Sequence, residues 1–496
     1  LLASCSGRGG DKDLLSKTKK TAPHRDLKEI KESGKLVALT DFSSSSYFIY
    51  KGIPMGFEYD LLERFCAHIG VELSIEVVED MDEITGLLNE NQGDVIAANY
   101  TVTNQRKKDV LFTKPVLQTK QVLVQRLPEK WWTKTQDELD NRLIKTPVGL
   151  IGKTVYVRRH SSFYTRLINL MDELGGIINI KFAEGLGTEK LIEMVSEGNI
   201  DYDYTVADEN VAILNKAYMS NIDISTSLSF TQNVAWACRI SSPELLKAFN
   251  EWLVRFKKTE EFAVIHLKYF KARTKHKERV MSEYSSFKGN KISPYDAVIK
   301  KEAERLNWDW KLLTALIYQE SRFVPGAKAW TVASGLMQLI PETAERFGAD
   351  SLSGPSENIH AGLSFLLSLN EYWDDRLQDS LEVIKFSLAS YNVGLGHFLD
   401  AVRLAEKFNS DASQWKNVAR FLELKAQPEY YKDPVVRHGY CRGSEPVEYV
   451  RSIISLWEHY SNSPVALRKT IFSSNLASQK SLVLLSFLWV LRERNT

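Results

Sequence analysis

The sequence predicts a multidomain protein in which a two-lobed α/β module precedes an all-α domain. Three observations carry this. At 496 residues the chain is long enough for about three domains, each with its own core. From Lys35 to about Phe270, short β-rich runs alternate with helical patterns, the signature of lobes with mostly parallel sheets. From Ser293-Pro294-Tyr295-Asp296 to about Tyr460 the pattern is almost wholly helical.

Taken in order, the first module opens with Lys35-Leu36-Val37-Ala38-Leu39-Thr40 as a strand and an amphipathic helix over Tyr59 to Ile69. Val71 to Val78 and Asp94 to Ala98 read as further strands, and Gly152-Lys153-Thr154-Val155-Tyr156-Val157 starts the same rhythm again. The expected boundaries are a spacer over 1–28, a module over 29–275, and an all-α domain over 290–462. Within the module, lobe 1 takes about 29–130 and 230–275, and lobe 2 about 150–229. The basic stretch Lys268 to Arg279 reads as a solvated linker or helix face. Ser293 is the expected N-cap of the next helix, with Pro294 at its first position and Asp296 in its first turn. Residues 463–496 read as a C-terminal extension of unknown role; the apolar run Ser481 to Leu491 is about half the ~20 residues a membrane span needs.

Composition removes several functions. A net charge of +1 argues against a general nucleic-acid binder. Cys5, Cys66, Cys238 and Cys441 are far apart, so neither a disulfide framework nor a metal site is expected, and no cofactor is implied.

Glu320 is the candidate catalytic residue. It ends the apolar stripe Leu313, Leu316 and Ile317, which share its helix face. Partial desolvation there raises a carboxyl pKa towards values useful to a general acid. A lone Glu in such a place is more often half of a structural salt bridge. Two further blocks change that reading: Ser334-Gly335-Leu336-Met337-Gln338-Leu339-Ile340-Pro341, and Ala389-Ser390-Tyr391-Asn392-Val393-Gly394.

With Glu320-Ser321 these blocks, in this order, resemble the lytic transglycosylases of the lysozyme-like superfamily. The resemblance implies cleavage of the β-1,4 bond between N-acetylmuramic acid and N-acetylglucosamine, with formation of a 1,6-anhydromuramoyl product. It implies Glu320 as sole acid and base, since no second motif-anchored carboxylate is present where a retaining glycosidase would hold one about 5 Å away. It also implies sugar contacts from Gln338 and Met337, a hydrogen bond from Tyr391 near Glu320 or the substrate's N-acetyl group, and bracing or binding by Asn392. The sequence departs from the family pattern at Ala329, where a Ser is usual, and at Val332, where a Gly is usual. Ser334 is a candidate for the missing hydroxyl contact.

Gly56-Phe57-Glu58-Tyr59-Asp60 and Thr101-Val102-Thr103-Asn104-Gln105-Arg106 resemble the amino-acid-type periplasmic solute-binding proteins. That likeness implies two lobes closing on a ligand. Arg106 would hold its carboxylate, Thr101, Ser161 and Ser162 would add polar contacts, and Asp208 would take its amino group. His160 stands where a Gly is usual.

Leu2-Ala3-Ser4-Cys5 is similar to a bacterial lipobox, and a polar spacer follows it. Lipidation of Cys5 is therefore expected, with the apolar part of a signal peptide upstream. The combination resembles the membrane-bound lytic murein transglycosylase F family. It implies an enzyme of the periplasmic face of the envelope, lipid-anchored at the outer membrane, acting on peptidoglycan strands. A muropeptide or amino-acid-like ligand in the first module would regulate it. Two alternatives stay open: a solute-binding sensor lipoprotein with an inactive enzyme domain, and a lysozyme-like hydrolase.

Overall fold

Lys35–Thr40 lies inside a five-stranded sheet, which is why its apolar residues run almost without interruption. The computed structural model describes residues 25–462, apart from 200, 201, 290, 329–331 and 351. The expectations for Cys5, Ala329 and the 463–496 extension lie outside the described residues. The order of the first sheet is Glu72–Val77, Lys35–Thr40, Val95–Ile96, Ala237–Arg239, Val110–Phe112. The first three strands are parallel; Ala237–Arg239 enters antiparallel on its return from the second lobe.

The second sheet runs Asn179–Phe182, Thr154–Val157, Tyr204–Asp208, Gln121–Arg126, Ile222–Asp223. Leu117–Thr119 and Gln232–Val234 pair antiparallel and form the double connection between lobes. Gln121–Arg126 belongs wholly to the second sheet, so the chain crosses near residue 120, not 130. The spacer boundary moves as well. Arg25 already pairs with buried Asp94 at 2.7 Å, and Asp26 caps the Leu27–Ser33 helix through a reciprocal bond with Glu29.

The basic stretch is no plain linker. Within 267–281 it forms helical turns that bury Tyr269, His276 and Val280, while Lys268 bonds Asp60 at 2.7 Å. The next helix begins later than expected, at Asp296. Its carboxylate accepts the N–H groups of Ile292 and Ser293, so Ser293 and Pro294 sit in the preceding turn.

The rest of the chain is helical. Trp310–Ser321 starts at an N-cap, Asp309, whose side chain accepts from Lys311 N–H. Ser380–Val393 starts the same way at Asp379, and Pro341 and Pro355 occupy first helical positions. Among the described residues no helix is long and apolar enough to cross a membrane.

One apolar core joins lobe 1 to the helical domain, from Ile30, Phe48, Phe65 and Trp236 through Tyr269 to Leu316, Phe386 and Tyr460. Lobe 2 has separate cores around Leu167 and around Ile192. Polar bonds fix the shared face: Tyr460 Oη donates to Gly52 O at 2.8 Å, Tyr47 Oη meets His459 Nδ1 at 3.0 Å, and Lys35 pairs with Glu458 at 2.8 Å. Lobe 1 and the helical domain are therefore one packed body. Lobe 2 is attached through the double connection and through polar contacts across the cleft.

Candidate functional site

The helix Trp310–Ser321 carries Glu320 one residue before its end. Leu313, Leu316 and Ile317 are fully buried on the same face, whereas Glu320 is half-exposed. Arg322 closes the helix in the left-handed region at φ 52°, and Phe323 continues there at φ 63°. The facing loop repeats this strain at Val332 (φ 59°) and Gln338 (φ 46°). Each such residue costs on the order of 1–3 kcal/mol, so four of them between Arg322 and Gln338 make this a strained segment.

Burial pushes the Glu320 carboxyl up to about 7, only partly offset by the Tyr449 hydroxyl that donates to its Oε1. Among the described residues no second carboxylate acts on it. Burial, and after it the nearby Glu320 charge, pushes the Tyr391 hydroxyl up, and that hydroxyl donates to Met337 O at 2.8 Å. The geometry offers one acid near neutrality held by one phenol.

The structure sorts the other expected sugar contacts. Gln338 is half-buried and its Nε2 donates to Ala327 O at 3.0 Å and Gly335 O at 2.8 Å, pinning the loop. Ser334 bridges Leu339 in the same loop and is half-exposed. Asn392 is half-exposed on the last turn of Ser380–Val393. Met337 is corrected: it is fully buried beneath Gly362, with its N–H given to Asn358 Oδ1 at 2.9 Å and its carbonyl bonded to Tyr391. No part of it is left for sugar. Gly335, at φ +84°, admits the Asn358 side chain, which an added Cβ would meet at 2.4 Å. Val332 is largely exposed.

Tyr449 was not read from the sequence. It lies in the buried stripe Pro446, Tyr449, Val450 and Ile453 of Ser444–Ser461, where a tyrosine normally reads as core. The one available signal was that a buried phenol needs a hydrogen-bond partner.

Between the two lobes lies a cleft of about 1190 Å³. Arg106, Thr101, Ser162, Asp208 and His160 line it. Arg106 stacks over the Tyr100 ring at 3.8 Å and donates to Thr101 O at 2.8 Å, so its guanidinium is fixed before a ligand arrives. Ser162 accepts from Gln121 at 3.1 Å. Ser161 is corrected: its hydroxyl caps Ser162–Leu174, accepting from Tyr164 N–H and donating to Arg158 O, and it is off the cleft wall. Asp208 is buried and pushed up to about 7 by that burial, with Oδ2 accepting from Asn99 at 2.8 Å.

Among the cleft residues that escaped the sequence reading are Glu189 and Asp82. Glu189 of lobe 2 accepts from Ser44 N–H at 3.1 Å and Ser44 Oγ at 2.7 Å, and His160 pairs with Asp82 at 3.1 Å. These contacts close one lobe on the other. Among the described residues no group of three or more His, Cys, Asp or Glu side chains is placed to hold a metal ion.

Comparison with known proteins adds the following. The model of bacterial extracellular solute-binding proteins, family 3, matches residues 35–272, and that of the transglycosylase SLT domain matches residues 297–414. The membrane-bound lytic murein transglycosylase F of Desulfosudis oleivorans is 34% identical over 432 residues, covering 87% of this chain and 91% of that protein. The protein of the same name from Pseudomonas fluorescens is 30% identical over 429 residues, covering 86% and 85%. Among solved structures, the P235GK mutant of ArgBP from T. maritima aligns at 26% identity and TM-score 0.41, covering 49% of this chain and 98% of that one.

Proposed function

Because the chain belongs to the membrane-bound lytic murein transglycosylase F family, we propose that it cleaves peptidoglycan glycan strands with Glu320 as its sole acid and base. The observation that carries this is a single half-buried carboxyl near pKa 7, with a phenol as its hydrogen-bond donor. Protonated Glu320 gives its proton to the glycosidic oxygen as the C1–O bond breaks. The carboxylate so formed then takes the proton of the muramoyl C6 hydroxyl, whose oxygen closes on C1. The 1,6-anhydro ring forms, Glu320 regains its proton, and no water is consumed.

Tyr449 keeps the carboxyl aimed during both transfers, acting as a positioning residue. Tyr391 holds the Met337 carbonyl and so the loop facing Glu320. Gln338, Ser334, Asn392 and Tyr391 are the proposed sugar-facing set, supported by their partial exposure and by the nearness of Tyr391 to the acid.

Mass spectrometry of digested sacculi tests this. Anhydromuropeptides are the expected product, and Glu320→Gln should lower their release about 10²–10⁴-fold. Reducing-end muramic acid would instead make the enzyme a hydrolase, and no product would leave a binding protein.

The first module is proposed to bind a muropeptide or amino-acid-like ligand through Arg106, Thr101, Ser162 and Asp208, and to bias cleavage by closing. Coupling of this kind is reciprocal. Saturating glycan should change ligand affinity by the same factor by which ligand changes glycan affinity; no change in either direction ends the idea. Lipidation at Cys5 is proposed to hold the enzyme at the periplasmic face of a membrane, supported by the Leu2-Ala3-Ser4-Cys5 run and by the membrane-bound relatives. Labelling with a radioactive fatty acid, lost in Cys5→Ala, is the test.

A further inference from the structure

The helix Pro243–Phe256 of lobe 1 has an outer face that neither the cleft nor the acid uses. Its inner face, with Leu245, Phe249, Trp252, Leu253 and Phe256, is buried in the core. The outer face, at spacings of three and four residues, lines an open groove of about 640 Å³ together with Lys114. Pro243, Leu246 and Val254 give the groove its apolar lining, and Lys114, Lys247 and Arg255 give it three cations.

All three cations are exposed, and among the described residues none of them forms an ion pair. Arg255 gives its Nε–H to a backbone carbonyl, Glu251 O, at 3.2 Å. Lys114 is fixed through its backbone, whose N–H meets Asn250 Oδ1 at 2.6 Å, so its ammonium stays free to turn outward. Glu251 is the one acidic residue of the lining, and positive charge prevails. Exposed cations beside an exposed valine suit a surface that is anionic outside and apolar beneath.

The place of the groove on the molecule says which surface that is. Arg25 is fixed at the start of the same helix, where its carbonyl accepts from Ser242 Oγ at 2.9 Å. Asp26 accepts the N–H groups of Glu244 at 3.1 Å and Leu245 at 2.8 Å. The chain that comes from Cys5 therefore enters the fold beside Pro243. The twenty residues from Cys5 to His24 can span at most about 70 Å. Among them Arg8, Lys12, Lys17, Lys19 and Lys20 outnumber Asp11 and Asp13. A basic tether and a cationic groove thus share one edge of lobe 1.

From this placement we propose that the groove docks lobe 1 on the anionic phospholipid surface of the membrane that holds the tether. The proposal rests on the lipid-anchor reading for the nearness of that membrane, but not for the groove's own affinity. Lys114, Lys247 and Arg255 meet the phosphates, and Val254 meets the boundary of headgroups and acyl chains. Each cation held near such a surface gains roughly fivefold in binding. The tether raises the local concentration of lipid, so a weak contact suffices. Because lobe 1 and the helical domain share one core, this contact also orients the helix that carries Glu320 relative to the membrane.

Co-sedimentation of the full Cys5→Ala chain with lipid vesicles tests it. The protein should bind vesicles of equal parts phosphatidylcholine and phosphatidylglycerol, and not vesicles of phosphatidylcholine alone. Added salt should weaken the binding. Lys114→Gln, Lys247→Gln and Arg255→Gln together should weaken it about 10²-fold. Lys130→Gln, Lys153→Gln and Lys216→Gln remove as much charge from exposed sites of lobe 2 and should leave it nearly unchanged. The spacer is the same in both triple variants, so its cations cannot produce the difference. Sacculus cleavage by both should match that of the parent chain, which shows that they fold. Equal binding to the two kinds of vesicle, binding to neither, or equal loss in the two triple variants overturns the proposal. So does a groove variant that keeps its vesicles but no longer sediments with sacculi, since the partner is then peptidoglycan. Cys5 is replaced in every arm, so the lipid-anchor reading stands or falls separately, by fatty-acid labelling.

Discussion

Glu320 can give a proton only while it holds one, and burial sets the pH at which it does. With its carboxyl near 7, the acid form declines as the pH rises through neutrality, so kcat/KM should fall on that side. The Tyr449 bond lowers this pKa, because a donor favours the charged form. Tyr449→Phe should therefore move the alkaline limb of the pH–rate profile upwards while lowering kcat through looser aim. A merely structural tyrosine would leave the limb where it is. The residue-scale reading of the sequence was good where a side chain sits on a periodic face. It placed Glu320 at the tip of its stripe, while Arg106 and Asp208 came to the cleft through the resemblance to solute-binding proteins. It failed for Met337 and Ser161, whose polar atoms are consumed by Tyr391, Asn358 and the start of a helix.

At the scale of elements, the hairpin of Phe48–Tyr50 and Ile53–Met55 links the cleft side of lobe 1 to the helix that carries the acid. Ser44, just before it, bonds Glu189 of lobe 2. Gly52, at its tip, packs against Tyr318, Phe323 and Tyr460, two of which flank Glu320 in sequence. Gly52 has φ +79°, and an added Cβ would meet all three rings or hydroxyls at 2.9 Å. Gly52→Ala should cost about 1–3 kcal/mol by strain and overpacking. Urea unfolding should show that loss, and the glycan cleavage rate should fall with it. A fully stable Gly52→Ala protein would mean that the hairpin yields easily. The Lys268–Arg279 stretch shows why charge runs mislead at this scale. Lys271, Lys275 and Lys277 are exposed, but every few residues Tyr269, His276 and Val280 turn inward.

For the whole molecule, buried titratable groups set the response to pH. Glu58, Glu189, Asp208 and Glu320 are each pushed up to about 7 by burial. The folded state then binds more protons than the unfolded one, so these four lower stability as the pH rises from about 4.5 to 7. His276 and His459 are pushed down to about 4, again by burial, and lower stability as the pH falls from 6.5 towards 4. Burial raises Asp41 as well and lowers His266 and His397, so five groups oppose four and the balance lies on the acid side. Tm of the ligand-free protein should peak near pH 5 and decline by pH 8; a Tm that climbs to pH 8 would show the carboxyls to be ordinary. What the sequence determined by itself was local and periodic: the change from strand–helix alternation to helix, and the buried face below Glu320. Such patterns reflect which side of an element is apolar, a property each segment carries alone. Tertiary structure decided which segments meet. Tyr449 reaches Glu320 from 129 positions away, Gly52 reaches Tyr460 from 408, and lobe 1 shares its core with the helical domain, not with lobe 2. Periodicity shows that a face is buried but not what buries it; that choice depends on the packing of the whole chain.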